Sequence, residues 1–237
     1  MSITRSFLLF SLLLLALIRG SSVMAEPAIK KSELNSTFLL FVKNGSTQAA
    51  KQLLAQGADV NARNKSGNTA LFLASMTRKT DLVQLILGRG ANINEKNEGN
   101  RTALDVAVNL GYVPIVKLLI SKGADVNAQD FRGFTVLMTA VGMEVMARRL
   151  AADGYKLDPQ HRAGLADVGP DPNATLIKLL LKHGARVNRQ ALEFAEGEPS
   201  IRKLLLQAQA KQAKPKRPRA TRRTLNLSQP APRLNHS

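Results

Sequence analysis

Gly57-Ala58-Asp59-Val60-Asn61 returns as Gly90-Ala91-Asn92-Ile93-Asn94 and again as Gly123-Ala124-Asp125-Val126-Asn127, each time 33 residues on. A fourth copy, Gly184-Ala185-Arg186-Val187-Asn188, follows after 61 residues, one period plus 28. A fixed period of this length marks a chain built from stacked copies of one helical unit. Each of the last three copies is preceded by an apolar run: Leu82–Leu87, Ile115–Ile120 and Leu176–Leu181. A helix so apolar on most of its surface needs neighbours on several sides. The glycine then stops it, because the left-handed conformation of a helix end costs Gly nothing sterically.

Twelve residues beyond the first three glycines stand Thr69, Thr102 and Thr135. A threonine hydroxyl at a helix start accepts a first-turn N–H, so each predicts a helix beginning. Behind them come Leu71 and Ala74, Leu104 and Ala107, Leu137 and Ala140, at helical spacing. One unit therefore reads as turn, short helix, tight connection, second helix and glycine stop. A first unit begins near Leu34, with Ser36 at the capping position. A shortened last unit contains Ala191–Ala195 and Pro199–Leu206. That makes about five units.

These motifs resemble the ankyrin-repeat family over roughly residues 34–207. The family's unit has the same period, starts with Thr-Pro-Leu-His and ends with Gly-Ala-Asp-Val-Asn. Here the starts are Thr69-Ala70-Leu71-Phe72, Thr102-Ala103-Leu104-Asp105 and Thr135-Val136-Leu137-Met138, lacking both Pro and His. The resemblance implies an all-α solenoid of helix-turn-helix units joined by short β-hairpin-like turns. It implies a concave face, made of turn tips and first helices, that binds partner proteins. Carried over by position, the contact residues are Lys65, Ser66, Asn68, Met76 and Thr77 in the second unit. They are Glu98, Arg101, Asn109 and Leu110 in the third, and Phe131, Arg132, Phe134 and Met138 in the fourth. Phe131 and Phe134 carry the most weight, since aromatics and Arg dominate interface energy. The competing reading has one of them folding back to seal the insertion.

The extra residues fall inside the fourth unit, about 143–171. Met143–Ala152 extends its first helix, with Gly154 as the stop. Pro159, Gly164, Gly169 and Pro170 then break regular structure, and Asp171-Pro172 restarts a helix. Such a loop is either functional or disordered.

The ends differ from the middle. Arg5 precedes a 12-residue apolar run, Phe7–Ile18, followed by Gly20, Ser21, Ser22 and the small Ala25. This is the pattern of a signal peptide, residues 1–25. A membrane anchor is the alternative, but 12 helical residues cover about 18 Å of a hydrocarbon layer of about 30 Å. The resemblance together with this leader implies an exported protein of bacterial periplasmic type, periplasmic or secreted, with the repeat domain at 26–210. Residues 211–237 hold eight Lys or Arg, four Pro and no acid, the composition of a disordered tail. Lys211, Lys214, Lys216, Arg217, Arg219, Arg222 and Arg223 make it a candidate polyanion-binding segment, toward an anionic envelope surface or an acidic protein. Nucleic acid fits less well, because the tail has no aromatic residue for base stacking.

Net charge is +17, aromatics are 4% of the chain, and Cys and Trp are absent. Without Cys, disulfides and thiol chemistry are excluded. The three histidines, His161, His183 and His236, have no metal-ligand spacing, and His183 suits a helix end. No phosphate-binding, hydrolase or zinc-protease motif occurs. Asp158, His161, Asp167 and Asp171 are the weak cation alternative, set against a solvated loop. The expectation is a non-catalytic scaffold with no cofactor and no metal.

Overall fold

The structure is a computed structural model describing residues 30–154 and 172–213. The expected leader, the loop with Asp158, His161, Asp167 and Asp171, and the tail from 214 onward lie outside them.

Ten helices occur among the described residues, in five pairs. They are α1 Lys31–Lys43 with α2 Thr47–Ala55, α3 Ala70–Ala74 with α4 Thr80–Gly88, and α5 Ala103–Asn109 with α6 Val113–Ser121. The chain continues with α7 Val136–Ala152, α8 Pro172–Lys182, α9 Arg189–Phe194 and α10 Pro199–Ala213. First helices pack in the order α1, α3, α5, α7, α9, and second helices in the order α2, α4, α6, α8. One continuous core runs between the two layers, from Phe38 through Leu71, Leu104 and Leu137 to Leu205.

The repeated glycines occupy equivalent corners. Gly57, Gly90, Gly123 and Gly184 have φ of 96°, 84°, 91° and 89°. Nothing lies within 4 Å of where a Cβ would sit, so the requirement is conformational rather than one of space. At each corner the next residue's N–H reaches back over the helix end: Ala58 to Leu53 O, Ala91 to Ile86 O, Ala124 to Leu119 O and Ala185 to Leu180 O. These bonds satisfy carbonyls that the helix end would leave open.

The three threonines start helices as expected. Thr69, Thr102 and Thr135 accept from the N–H groups of Phe72, Asp105 and Met138. Ser36 does not. Helix α1 begins at Lys31, so Ser36 lies inside it, and its hydroxyl donates to Ser32 O and Glu33 O. Among the described residues no layer precedes the first unit to restrict its helix, and α1 starts before the position where the other first helices begin. Lys211 corrects the tail boundary, since α10 runs to Ala213 and places this lysine in its last turn.

A ladder of asparagines fastens one layer to the next. Asn35 Oδ1 accepts from Asp59 N at 2.8 Å, Asn61 from Asn92 N at 3.0 Å, Asn94 from Asp125 N at 2.8 Å and Asn127 from Arg186 N at 2.8 Å. The last rung crosses the insertion, so the inserted residues leave the stacking register intact. Among the described residues Asn188 meets no later layer of this kind, and its Oδ1 caps α9 by accepting from Ala191 N.

Candidate functional site

The turns preceding α3, α5 and α7 share one construction. Asn64, Asn97 and Asp130, again 33 residues apart, each accept two backbone N–H groups across the tip. A main-chain bond closes each tip: Asn64 N to Asn68 O, Asn97 N to Arg101 O and Asp130 N to Phe134 O, all 3.0 Å. Isolated antiparallel bridges, Arg63 with Thr69 and Gln129 with Thr135, give two of the tips a hairpin character.

The tips are also joined to one another. Glu98 N donates to Ser66 O and Phe131 N to Gly99 O. Asn97 Nδ2 donates to Asn68 Oδ1 at 2.8 Å. Arg63 pairs with Glu95 and donates to Lys96 O, while Lys96 Nζ donates to Gln129 O. The result is a continuous ridge of braced turns rather than three independent loops. A Cβ at Gly67 would come within 3.0 Å of Glu98 N, so the close approach of two tips needs glycine there.

On this ridge Lys65, Ser66, Glu98, Phe131 and Arg132 are exposed, and Asn68, Arg101 and Phe134 are half-buried. At the far ends of the first helices, Met76 is exposed and Thr77, Asn109 and Leu110 are half-buried. Met138 is a correction. It is only 1% exposed, and its Sδ accepts from Asn188 Nδ2. The third residue of each first helix faces inward, as the buried Phe72 and Asp105 do two periods and one period earlier.

Phe131 is 67% exposed, the most exposed large apolar side chain among the described residues. The Arg132 guanidinium lies over its ring at 5.4 Å and over that of Phe134 at 5.1 Å. Arg132 also stands 3.6 Å from the Asp130 carboxylate. Phe134, the other ring of the pair, is half-buried. It packs against Phe194 of the last unit, with ring centroids 5.5 Å apart.

Among the described residues, five exposed large apolar residues lie outside the sequence-derived set: Leu40 on α1, Met143 and Met146 on α7, Phe194 on α9 and Leu206 on α10. Met143 follows Thr77 and Leu110 by 33-residue steps, a signal that stepping the period one unit further would have found. Met146 belongs to the extra turns of α7, for which the other first helices have no counterpart.

Beneath the ridge lies one perturbed acid. Asp105 is 3% exposed, and its carboxylate completes a capping box with Thr102. Burial pushes its carboxyl up to about 6, against the opposing pull of Arg101 and of the Thr102 N–H. The perturbation has a structural origin, because this carboxylate serves a helix start.

Residues 38–130 match the family description of ankyrin repeats, in three copies. The chain carries ankyrin repeats. The match takes in the first two tips of the ridge and ends at Asp130, the first residue of the third, and the same stacking continues beyond it through α7–α10. No curated protein matches the chain. Ankyrin repeats are typically non-catalytic units of protein–protein interaction. Among the described residues, no group of His, Cys, Asp and Glu is placed to hold a metal. Nor is any described helix long and apolar enough to cross a membrane.

Proposed function

We propose that the chain is an exported, non-catalytic ankyrin scaffold that holds a partner protein against its turn ridge and first-helix layer. The carrying observation is Phe131, a large aromatic ring held in solvent on a braced turn, with Arg132 over its face. An aromatic ring with an arginine beside it is the pairing of residue types that carries most interface energy. Arg132 at the ring, with Arg101 and Lys65 on the two preceding tips of the ridge, provides a polar rim. Export rests on the N-terminal pattern: Arg5, the apolar run and the small residues before Glu26.

The test is Phe131→Ala, measured by crosslinking in the native compartment. Losing this ring should weaken capture of the major crosslinked species at least about 10-fold, as truncating an aromatic anchor does. Thermal unfolding should stay unchanged, because the side chain is in solvent. Equal capture by the variant would sink the reading. Phe134→Ala is the less clean probe, since it also removes the contact with Phe194.

The basic tail favours a second reading. Its eight Lys and Arg with no acid suit a polyanion or an anionic surface. Binding to anionic vesicles that survives removal of residues 211–237 would discard it. A fusion of residues 1–30 to a compartment-sensitive reporter tests export, and reporter activity confined to the cytosol would reject it.

A further inference from the structure

The second-helix layer is not closed at its end. Helices α2, α4, α6 and α8 pack in sequence, but α10 approaches α8 less closely than its predecessors approach one another. A groove of roughly 370 Å³ lies between them. Contacts fix α10 at both of its ends. At the start of α10, Arg148 of α7 reaches Ser200 Oγ at 3.2 Å and Glu198 at 3.6 Å. At its end, Gln212 Nε2 donates to Ala185 O at 2.8 Å, and Gln212 Oε1 accepts from Val187 N at 3.3 Å.

The lining combines apolar and cationic side chains with the amides of Gln207 and Gln212. Leu181, Leu204 and Ala208, all half-buried, make an apolar floor. Lys178, Lys182 and Lys211, all exposed, stand around it, and among the described residues no acid lines the groove. Lys182 and Lys211 occupy the last turns of α8 and α10. The carbonyl ends of these helices carry about half a negative charge each, which these two lysines offset. Lys178, one turn back on α8, is surplus to that need. Three ammonium groups against about one unit of dipole charge leave the groove near +2.

We propose that this groove binds an amphiphile with a phosphate head, the dianion among Lys178, Lys182 and Lys211 and a short apolar part on Leu181, Leu204 and Ala208. Lysine serves as a point-charge partner for phosphate, and the volume lies at the small end of the range for ligand sites. The site is on the opposite layer from the turn ridge, so it stands independently of partner capture there.

The experiment uses the full chain with its tail intact, so that nonspecific attraction by the tail is common to all measurements. Hexyl phosphate and inorganic phosphate are titrated by calorimetry at physiological ionic strength. Phosphatidylcholine vesicles with and without phosphatidic acid are followed by co-sedimentation. Hexyl phosphate should bind more tightly than inorganic phosphate. The triple variant Lys178→Gln, Lys182→Gln, Lys211→Gln should weaken it about 10-fold or more, as expected from losing three exposed charge contacts. Ala208→Leu fills the floor while leaving every charge in place, and should weaken hexyl phosphate but not general attraction to the vesicles. Binding of hexyl phosphate together with preference for phosphatidic acid vesicles identifies a lipid headgroup. Binding without that preference identifies a soluble phosphate ester. Equal affinity for inorganic and hexyl phosphate, or an Ala208→Leu variant that binds like the parent, would overturn the proposal. Thermal unfolding of each variant confirms that the stack is retained.

Discussion

From α1 to α8 one neutral contact recurs between each layer and the next, an asparagine carbonyl accepting a backbone N–H, whereas among the described residues the last layer is attached without that rung, through the Arg148 ion pairs, Phe134–Phe194 packing and the Gln212 amide. The rungs Asn35, Asn61, Asn94 and Asn127 repeat the same bond at 2.8–3.0 Å. At the end, Arg148 pairs with the buried Glu144 and reaches Glu198, and Phe134 packs on Phe194. A rung works only where another layer follows, so repetition cannot close its own end. The difference is physical as well as positional. Neutral bonds to backbone respond little to salt, while ion pairs at a surface are screened by it.

The largest expected effect separates the two regions by cooperativity. Leu119 of α6 and Leu205 of α10 are both fully buried. Replacing either by Ala removes similar apolar volume, at a cost of about 3 kcal/mol. In the interior, Leu119 is flanked by layers on both sides, so Leu119→Ala should shift the entire denaturant midpoint. The last unit has one neighbour and can open alone. Leu205→Ala should therefore leave the main transition nearly in place, while amide exchange in 199–213 accelerates strongly. A single transition displaced equally by both variants would show the last layer to be cooperative with the rest.

Next in size is a pH effect confined to the regular region. The Asp105 carboxyl is raised from 3.8 to about 6, mainly by burial. The folded protein thus holds this proton more tightly than the unfolded chain does. Its contribution is most favourable below about pH 4, declines as pH rises to about 6, and is flat above. A rise of this size corresponds to roughly 3 kcal/mol at the upper limit. Asp105→Asn retains an oxygen for the Thr102 N–H and has no charge to bury. The variant should lack the loss of stability that the parent shows between about pH 4 and about pH 6, and should exceed the parent at pH 7. Parallel pH profiles for the two proteins would refute the assignment.

Much of this comparison is visible in the residues themselves, and the remainder has identifiable causes. The four glycine corners and three threonine caps are local events, in which one residue decides its own backbone or its own turn. Local rules survive in a sequence. The ladder does not read out in the same way. Asn61, Asn94 and Asn127 stand at the right period, but their partners sit a full layer away and only stacking brings them together. Ser36 failed because a serine inside a helix can bond backward to carbonyls as readily as it caps. Met138 failed because three residues past the cap was assigned to the surface, where the pitch of the helix turns it inward. The exposure of Phe131 was accessible from its place at a turn tip, but the contact of Phe134 with Phe194 spans 60 residues and an insertion. The groove between α8 and α10 follows from how the last helix is tethered, which no local pattern specifies.

The smallest effect lies at a second periodic corner, between the paired helices. Gly45, Arg78 and Gly111 are spaced by 33, with φ of 70°, 61° and 69°. Arginine thus occupies a left-handed position that its register mates fill with glycine. A residue with a Cβ is disfavoured there by roughly 1 kcal/mol. Arg78 recovers part of this through its guanidinium, which lies 5.0 Å from the centroid of the Tyr112 ring in the next unit. Such a contact is worth about 0.5–1 kcal/mol at an exposed site. Arg78→Gly relieves the backbone, loses the ring contact and loosens the unfolded chain, so it should change stability by under about 0.5 kcal/mol. Arg78→Ala keeps the strain and still loses the contact, so it should be the less stable of the two variants. In a Tyr112→Leu background the ring contact is already gone, and Arg78→Gly should then stabilise measurably. Chemical denaturation of these proteins resolves the cases, and an Ala variant more stable than the Gly variant would mean that the left-handed corner does not control this position.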